Sequence, residues 1–290
     1  RIGSAGAFKP ELELFDVVIV DHAYSASSYA KEAFGYTEDV QLPSEELNEL
    51  LSRYAIGKKP LAALLGWGAT TVLRYGSGLC PAGEYGTHLK RLYEEPLFYL
   101  EVLEENKDRL TPVAYKKSKN AVLAYLTSSK LWCGVQYLIE RAKGDISPMR
   151  VVLTLYYAQA FSLGLTDKAL FWEECDLSSA GVPYAYHYEQ LLQTGIKQGI
   201  STEGLFTEEE EVFLDAAYRM LLWYGPAELE HIFSAERKYL RISRMEGGGK
   251  KIKNAAIGGF FKKVVQGYKI TRPEEFNLYF AERTGRGRKR

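Results

Sequence analysis

At 290 residues the chain is long enough for one large domain or two ordinary ones, each able to bury a core. Its composition, 46% apolar and 26% charged, is usual for a globular protein. No apolar run reaches the roughly 18 residues of a membrane span and no secretory signal is visible, so neither a membrane-anchored nor a secreted protein is expected. The formal net charge is zero.

The charges are distributed unevenly along the chain. From Arg237 onward there are 16 lysines and arginines against 4 acidic residues, whereas residues 1–236 hold 21 against 33. A basic end could bind nucleic acid or an acidic partner, or it could pair with the acidic body of the same chain. The sign of the charge alone leaves these alternatives open.

Residues 1–40 form a weakly patterned N-terminal segment, in which residues 11–20 suit either a strand or a short buried helix. Three short helices are then predicted up to residue 75. Leu47, Leu50 and Tyr54 have helical spacing, and Gly66 separates the second helix from the third, which covers residues 69–75. Two short helices around a glycine turn, supported by a leading helix, are typical of a helix-turn-helix.

The following residues continue as helices up to a polar step at residues 127–130, where we expect a domain boundary. These helices cover residues 82–93 and 96–106, and a third, capped by Thr111, runs to Tyr125.

Beyond the boundary, a helix at residues 131–142 precedes the strongly apolar segment 149–165, which is bulky on nearly every face. Such a helix normally lies at the centre of a domain. Whether residues 168–182 include a small hairpin is left open. Four further helices are predicted: one from about residue 185, one from a Thr207–Glu210 capping box to residue 224, and two over residues 228–241 and 273–280.

Two parts of the chain resemble one family, in that family's own order. LAALLGWGATTVLRYGSGLCP (61–81) resembles a helix-turn-helix of the phage-repressor type. With IGKKPLAALLGWG and the segment 91–122, RLYEEPLFYLEVLEENKDRLTPVAYKKSKNAV, it resembles the N-terminal half of bacterial and phage antitoxins that carry a Panacea domain.

The second half resembles the Panacea domain itself. LYYAQAFSLGLTDKALF (155–171) is similar to the first helix of that domain, and AELEHIFSAERKYL (227–240) to a later helix that includes Glu236. The family's Gly-Pro-Val segment falls on Gly181, although here the proline is Pro183, and the tyrosine that follows it in the family falls on Tyr188.

The resemblance implies an all-α protein with a helix-turn-helix domain at residues 41–126, a Panacea-like toxin-binding domain at 130–281 and a basic tail at 282–290. It implies the antitoxin of a type II toxin–antitoxin system, which binds a protein toxin encoded nearby and represses its own operon by binding operator DNA. The alternative is a DNA-binding transcriptional regulator without a toxin, and a helical enzyme comes third. A homodimer is left open, and the odd, widely spaced Cys80, Cys133 and Cys175 suggest the cytoplasm.

On the repressor pattern, the third helix lies in the DNA major groove. Thr70 and Thr71 would then contact bases or phosphates, Arg74 would reach a phosphate, and Lys58 and Lys59 would lie near the backbone. The alternative is a helical module that no longer binds DNA.

The candidate toxin contacts are Tyr184, Tyr186, Tyr188 and Glu236. The chain has 21 tyrosines, and tyrosine suits interfaces because its ring is large and rigid and its tip is polar. Each of the three tyrosines could instead fill the core, as we expect for Tyr156.

The sequence predicts no catalytic, metal or cofactor site. The histidines are scattered, without a paired spacing that would converge on a metal. Glu173, Glu174 and Asp176 could suggest paired carboxylates, but a solvated turn is expected.

Overall fold

The computed structural model describes residues 44–75, 83–245 and 249–285, and this part of the chain is mostly helical, with one small sheet. The predicted helical fold class is therefore confirmed. The chain divides into two compact units, Arg1–Val122 and Leu123–Arg290. The predicted N-terminal segment 1–40, the remaining tail residues 286–290 and Cys80 lie outside the described residues.

Unit 1 contains short helices, most of which begin and end close to the predicted residues. They are α1 (Ser44–Arg53), α2 (Lys58–Leu65), α3 (Ala69–Tyr75), α4 (Gly83–Glu94), α5 (Pro96–Glu105), a 3₁₀ turn (Lys107–Arg109) and α6 (Pro112–Leu126). Thr111 caps α6 as predicted, since its Oγ1 accepts a hydrogen bond from the backbone N–H of Ala114 at 3.3 Å. The division between the units falls inside α6, before the polar step at residues 127–130.

The core of unit 1 forms around the apolar face of α1. Leu47, Leu50 and Tyr54 are fully buried, as their helical spacing predicts. The Tyr54 ring stacks on the Tyr99 ring with centroids 3.8 Å apart, and its hydroxyl donates to the Leu92 carbonyl at 3.0 Å. Burying each large side chain contributes about 1.5–3 kcal/mol, so this face holds α1 against α4 and α5.

Unit 2 is built around one long helix. Its elements are α7 (Lys130–Arg141), α8 (Pro148–Thr166), β1 (Cys175–Leu177), α9 (Ala185–Thr194), α10 (Glu208–Leu221), α11 (Pro226–Arg237), β2 (Ile242–Arg244), β3 (Lys250–Ile252), α12 (Asn254–Tyr268), a 3₁₀ turn (Pro273–Phe276) and α13 (Asn277–Arg283). Every residue of α8 from Val151 to Gly164 is buried, and α8 packs most extensively against α12 and α10. The predicted central helix is therefore confirmed.

Two local features let α8 form and pack. Ser147 caps its first turn, where the side chain accepts a hydrogen bond from the N–H of Arg150 at 3.3 Å. Gly164, near its other end, lets the backbone of α12 approach, because a Cβ there would lie 3.0 Å from the Cβ and 3.2 Å from the carbonyl carbon of Phe261. The helix pair therefore depends on a missing side chain.

The small sheet corrects the sequence prediction. Strand β3 lies between β1 and β2, and both pairings are antiparallel, with Cys175 and Ile242 each opposite Ile252. The hairpin that was left open near residues 168–182 is not present as a pair of strands, because β1 pairs with β3 and the residues after it add only an isolated bridge between Leu177 and Pro183. Strands of three residues are too short to show a period, so their long-range pairing was not predictable.

The last part of unit 2 also differs from the prediction. The helix expected at 228–241 ends at Arg237, and the chain then enters β2. Helix α12 was not predicted at all. No helix among the described residues is long and apolar enough to cross a membrane.

Candidate functional site

The turn between α2 and α3 is determined by Gly66. Its φ of +70° is left-handed, and Trp67 N–H donates to the Ala62 carbonyl at 2.8 Å, which closes the end of α2. Arg109 donates to the Leu64 carbonyl at 3.2 Å, and its Nη1 would lie only 2.9 Å from a Cβ at position 66. Both the backbone angle and the guanidinium therefore require glycine here.

Helix α3 has a buried anchor and an exposed outer face. Val72 is fully buried, whereas Thr70 and Arg74, four residues apart on the same face, are exposed. Thr71 is half-buried beside them. Hydroxyl and guanidinium donors on an exposed helix can bind polar or anionic groups.

The two predicted lysines belong to the neighbouring helix. Lys58 and Lys59 form the first turn of α2, which packs against α3; Lys58 is half-buried and Lys59 is exposed. All five candidate DNA contacts therefore lie on one pair of adjacent helices, and their role in DNA binding stays a prediction.

The three candidate tyrosines have different environments. Tyr184, at the start of α9, is fully buried and packs edge-on against Phe171. Tyr186 is 61% exposed, and its backbone N–H donates to the Asp176 carboxylate at 2.9 Å. Tyr188 is half-buried. Only Tyr186 and Tyr188 offer surface to a partner in this conformation.

Glu236 is fully buried in the core of unit 2. Its carboxyl accepts hydrogen bonds from the Tyr279 hydroxyl at 2.8 Å and from the Tyr157 hydroxyl at 3.2 Å. Burial raises the pKa of Glu236 to about 8, although both hydrogen bonds and the charge of Arg283 oppose the shift. The candidate contact Glu236 therefore lies inside unit 2 and offers no surface to a partner in this conformation.

Further polar groups are buried in unit 2. The hydroxyls of Thr154, Tyr156 and Tyr184 and the Nδ1 atom of His187 have no hydrogen-bond partner among the described residues. Burial raises the pKa of Tyr156 well above its ordinary value and lowers that of His187. Tyr156 lies in the core as predicted, and these groups are held neutral there.

The carboxylates near residue 174 tie elements together, so the expected solvated turn is wrong. Glu173 accepts from the Ser129 hydroxyl at 2.8 Å and from the Leu131 N–H at 3.2 Å, at the start of α7. Glu174 pairs with Lys251 of β3 at 2.5 Å. These contacts could not be predicted from the sequence around residue 174, because the partners of both glutamates are distant in the chain.

A surface groove that was not predicted from the sequence runs along α10. We call it the α10 groove, with a volume of 420 Å³. It is lined by Glu208, Glu211, Val212, Asp215, Ala216, Arg219, Met220, Trp223, Glu274 and Asn277. The lining residues from 208 to 223 follow one another at alternating intervals of three and one, so each pair recurs every four residues. This is the spacing of one helix face, and it was visible in the sequence.

The described residues contain no group of three histidine, cysteine or acidic side chains placed to hold a metal ion. Cys133 and Cys175 are buried and free. Burial raises the pKa of both thiols, which keeps them protonated.

Comparison of the chain with protein-family models, with curated proteins and with solved structures gives no match.

Proposed function

We propose that the chain is an antitoxin that neutralises a protein toxin by direct binding through unit 2 and represses its own operon through α2 and α3. The observation that carries the DNA-binding part is the face of α3, with Thr70 and Arg74 exposed in front of the buried Val72. A helix held by one apolar anchor can present its outer face to a groove.

The dimensions of this face suit a duplex. Helix α3 has 7 residues, and at 1.5 Å per residue it is about 10 Å long, which fits within the major groove of about 12 Å width. Exposed Lys59, in the first turn of the preceding helix, supplies a charge for the phosphate backbone. The Gly66 turn, closed by its own hydrogen bonds, keeps the two helices in a defined relation.

Toxin binding is supported by the resemblance of residues 155–171 and 227–240 to the Panacea domain and by aromatic surface on unit 2. Trp223 is 77% exposed and Tyr186 61%. Exposed aromatic side chains of this size are enriched at protein interfaces. The alternative, a transcriptional regulator without a toxin, uses the same α3 face.

A gel-shift assay with the upstream DNA tests the DNA-binding part. Thr70→Ala with Arg74→Ala removes two exposed donors and no core residue. We expect operator affinity to fall by at least tenfold, since each lost specific contact costs about 1–3 kcal/mol. Lys117→Ala, which removes one exposed charge from α6, is the matched control and should change little. Equal affinity of the wild-type protein for its promoter and for random DNA would refute operator recognition.

Co-expression tests the antitoxin part. The chain should restore growth to cells that express the toxic neighbouring gene, and the two proteins should co-purify in a fixed ratio. The Thr70/Arg74 double variant should still protect, because α3 lies outside unit 2. Operator binding without any protection would favour the regulator alternative.

A further inference from the structure

The α10 groove combines an apolar floor with exposed apolar side chains. Ala216 and Met220 are buried at 5% and 6% exposure, whereas Val212 and Trp223 are 47% and 77% exposed. Leu222 and Leu278, next to groove residues in the chain, are also more than half exposed. An exposed tryptophan beside a shallow apolar floor is typical of a binding surface.

The groove is also acidic. Among the described residues no lysine or arginine forms an ion pair with Glu208, Glu211 or Glu274, whereas Asp215 is paired with both Arg141 and Arg219. These three carboxylates can therefore form ion pairs with basic groups of a partner along the groove. Nucleic acid and anionic lipid would be repelled by this surface.

The position of Glu208 and Glu211 at the start of α10 has an ordinary structural explanation. Acidic residues stabilise the positive end of a helix, and Glu210 completes the capping box of Thr207 at the start of this one. Glu274 likewise lies in the first turn of its own 3₁₀ segment. Neither placement accounts for the meeting of these three carboxylates on one groove, or for Trp223 beyond the other end of α10. The groove joins these features on one face.

We propose that the α10 groove binds a basic amphipathic segment of the partner protein, with apolar side chains against Trp223 and lysines or arginines beside the glutamates. The lined face runs from residue 208 to residue 223, about 22 Å at 1.5 Å per residue, which matches a partner helix of four turns. The identification of that partner as the toxin rests on the proposed function. The proposal that the groove binds a basic amphipathic segment rests only on the chemistry of the groove.

The first test uses peptides on the full chain. The probes are a designed helix of about 15 residues with leucine on one face and lysine on the other, and a matched peptide with glutamate in place of lysine. We expect the lysine peptide to bind more tightly, and more weakly as salt rises. Equal affinity for the two peptides, or no binding of the lysine peptide, would overturn the proposal.

Two variants and one control locate the binding. Trp223→Ala should lower the affinity for the lysine peptide about thirtyfold, the loss expected for an aromatic side chain that carries a large share of the binding energy. The triple change Glu208→Gln, Glu211→Gln and Glu274→Gln should flatten its salt dependence. Trp172→Ala removes a tryptophan that is 62% exposed and does not line the groove, and should leave affinity unchanged. An equal loss for Trp172→Ala would place the binding elsewhere and overturn the assignment.

Growth protection then separates the groove from the wider function. If the wild-type chain protects cells and Trp223→Ala does not, the toxin occupies the groove. If both protect equally, the antitoxin function stands and the groove as toxin site is refuted. If neither protects, the antitoxin function fails, and the peptide measurements alone decide whether the groove binds a basic segment.

Discussion

The buried carboxyl of Glu236 should make the stability of unit 2 depend on pH in an unusual direction. Its pKa is raised from 4.5 to about 8 by burial, so between these values the folded protein binds a proton that the unfolded chain has lost. The contribution of Glu236 to the free energy of unfolding is therefore at its highest below about pH 4.5, and it is lost as the pH rises towards 8. Most carboxyl groups in folded proteins act in the opposite sense.

The size of the effect follows from the shift. A change of about 3.5 pKa units at 1.36 kcal/mol each corresponds to a free energy on the order of 5 kcal/mol. Domains are typically stable by about 5–15 kcal/mol, so the loss is a large part of the total. Glu236→Gln cannot titrate, and it keeps a carbonyl that can accept from Tyr157 or Tyr279.

Urea unfolding at several pH values between 5 and 8, followed by tryptophan fluorescence, measures the effect. Three of the four tryptophans (Trp132, Trp172 and Trp223) lie in unit 2 and report on it. The free energy of unfolding of the wild-type protein, minus that of Glu236→Gln, should fall steadily as the pH rises. Taking the difference removes the contributions common to both proteins. One of these comes from His187, whose lowered pKa makes the free energy of unfolding rise with pH.

Glu230→Gln provides the matched control, because this glutamate is exposed on the same helix. Its unfolding free energy should follow that of the wild-type protein at every pH. If Glu236→Gln also runs parallel to the wild-type protein from pH 5 to 8, the carboxyl does not titrate in that range and the reasoning from burial is wrong.

Two further predictions concern packing and thiol reactivity. Gly164→Ala should destabilise unit 2 by about 1–3 kcal/mol, because the added Cβ would press on Phe261. Gly259→Ala should stabilise it by about 0.5–1 kcal/mol, because no atom lies within 4 Å of the added Cβ. Urea unfolding midpoints measure both changes, and a similar loss of stability for the two variants would contradict the close approach of α8 and α12. In a Cys80→Ser background, a thiol reagent should modify neither Cys133 nor Cys175 before the protein unfolds. Both side chains are buried, and burial raises the pKa of both thiols. Modification at the rate of a free thiol would show that the core opens.

The parts of the fold that could be predicted are those whose cause is local in sequence. The capping box of Thr207 and Glu210 is present, with both of its hydrogen bonds, because its two residues lie one turn apart. Helix α8 could be recognised as central because it is apolar on every face. The short helices up to residue 75 are separated by Gly66, whose effect on the backbone is also local.

The missed elements depend on tertiary contacts. Helix α12 contains Gly258, Gly259 and Gly267 and the pair Val264–Val265, which all have low helix propensity. It forms because Ile257, Phe261 and Val264 are buried, and it packs against α8. Burial of an apolar face outweighs a propensity cost of about 1 kcal/mol per glycine.

The candidate sites show the same limit at the level of single residues. Tyr184 and Tyr186 are two positions apart, yet one is buried and the other is exposed, because α9 begins between them. Glu236 gave no sign of burial, since its partners Tyr157 and Tyr279 are 79 and 43 residues away. The α10 groove, in contrast, repeats at helical intervals and could have been found from residues 208–223 alone.

The arrangement of α8 also constrains how unit 2 assembles during synthesis. Helix α8 leaves the ribosome well before α12, which covers one of its sides. Strand β1 is likewise synthesised long before β3, with which it pairs. Until residue 268 has been made, a long apolar surface has no native cover, and non-local closure of this kind slows folding and favours aggregation or chaperone binding. A chain interrupted before α12 should therefore be a better protease substrate than the chain that includes it.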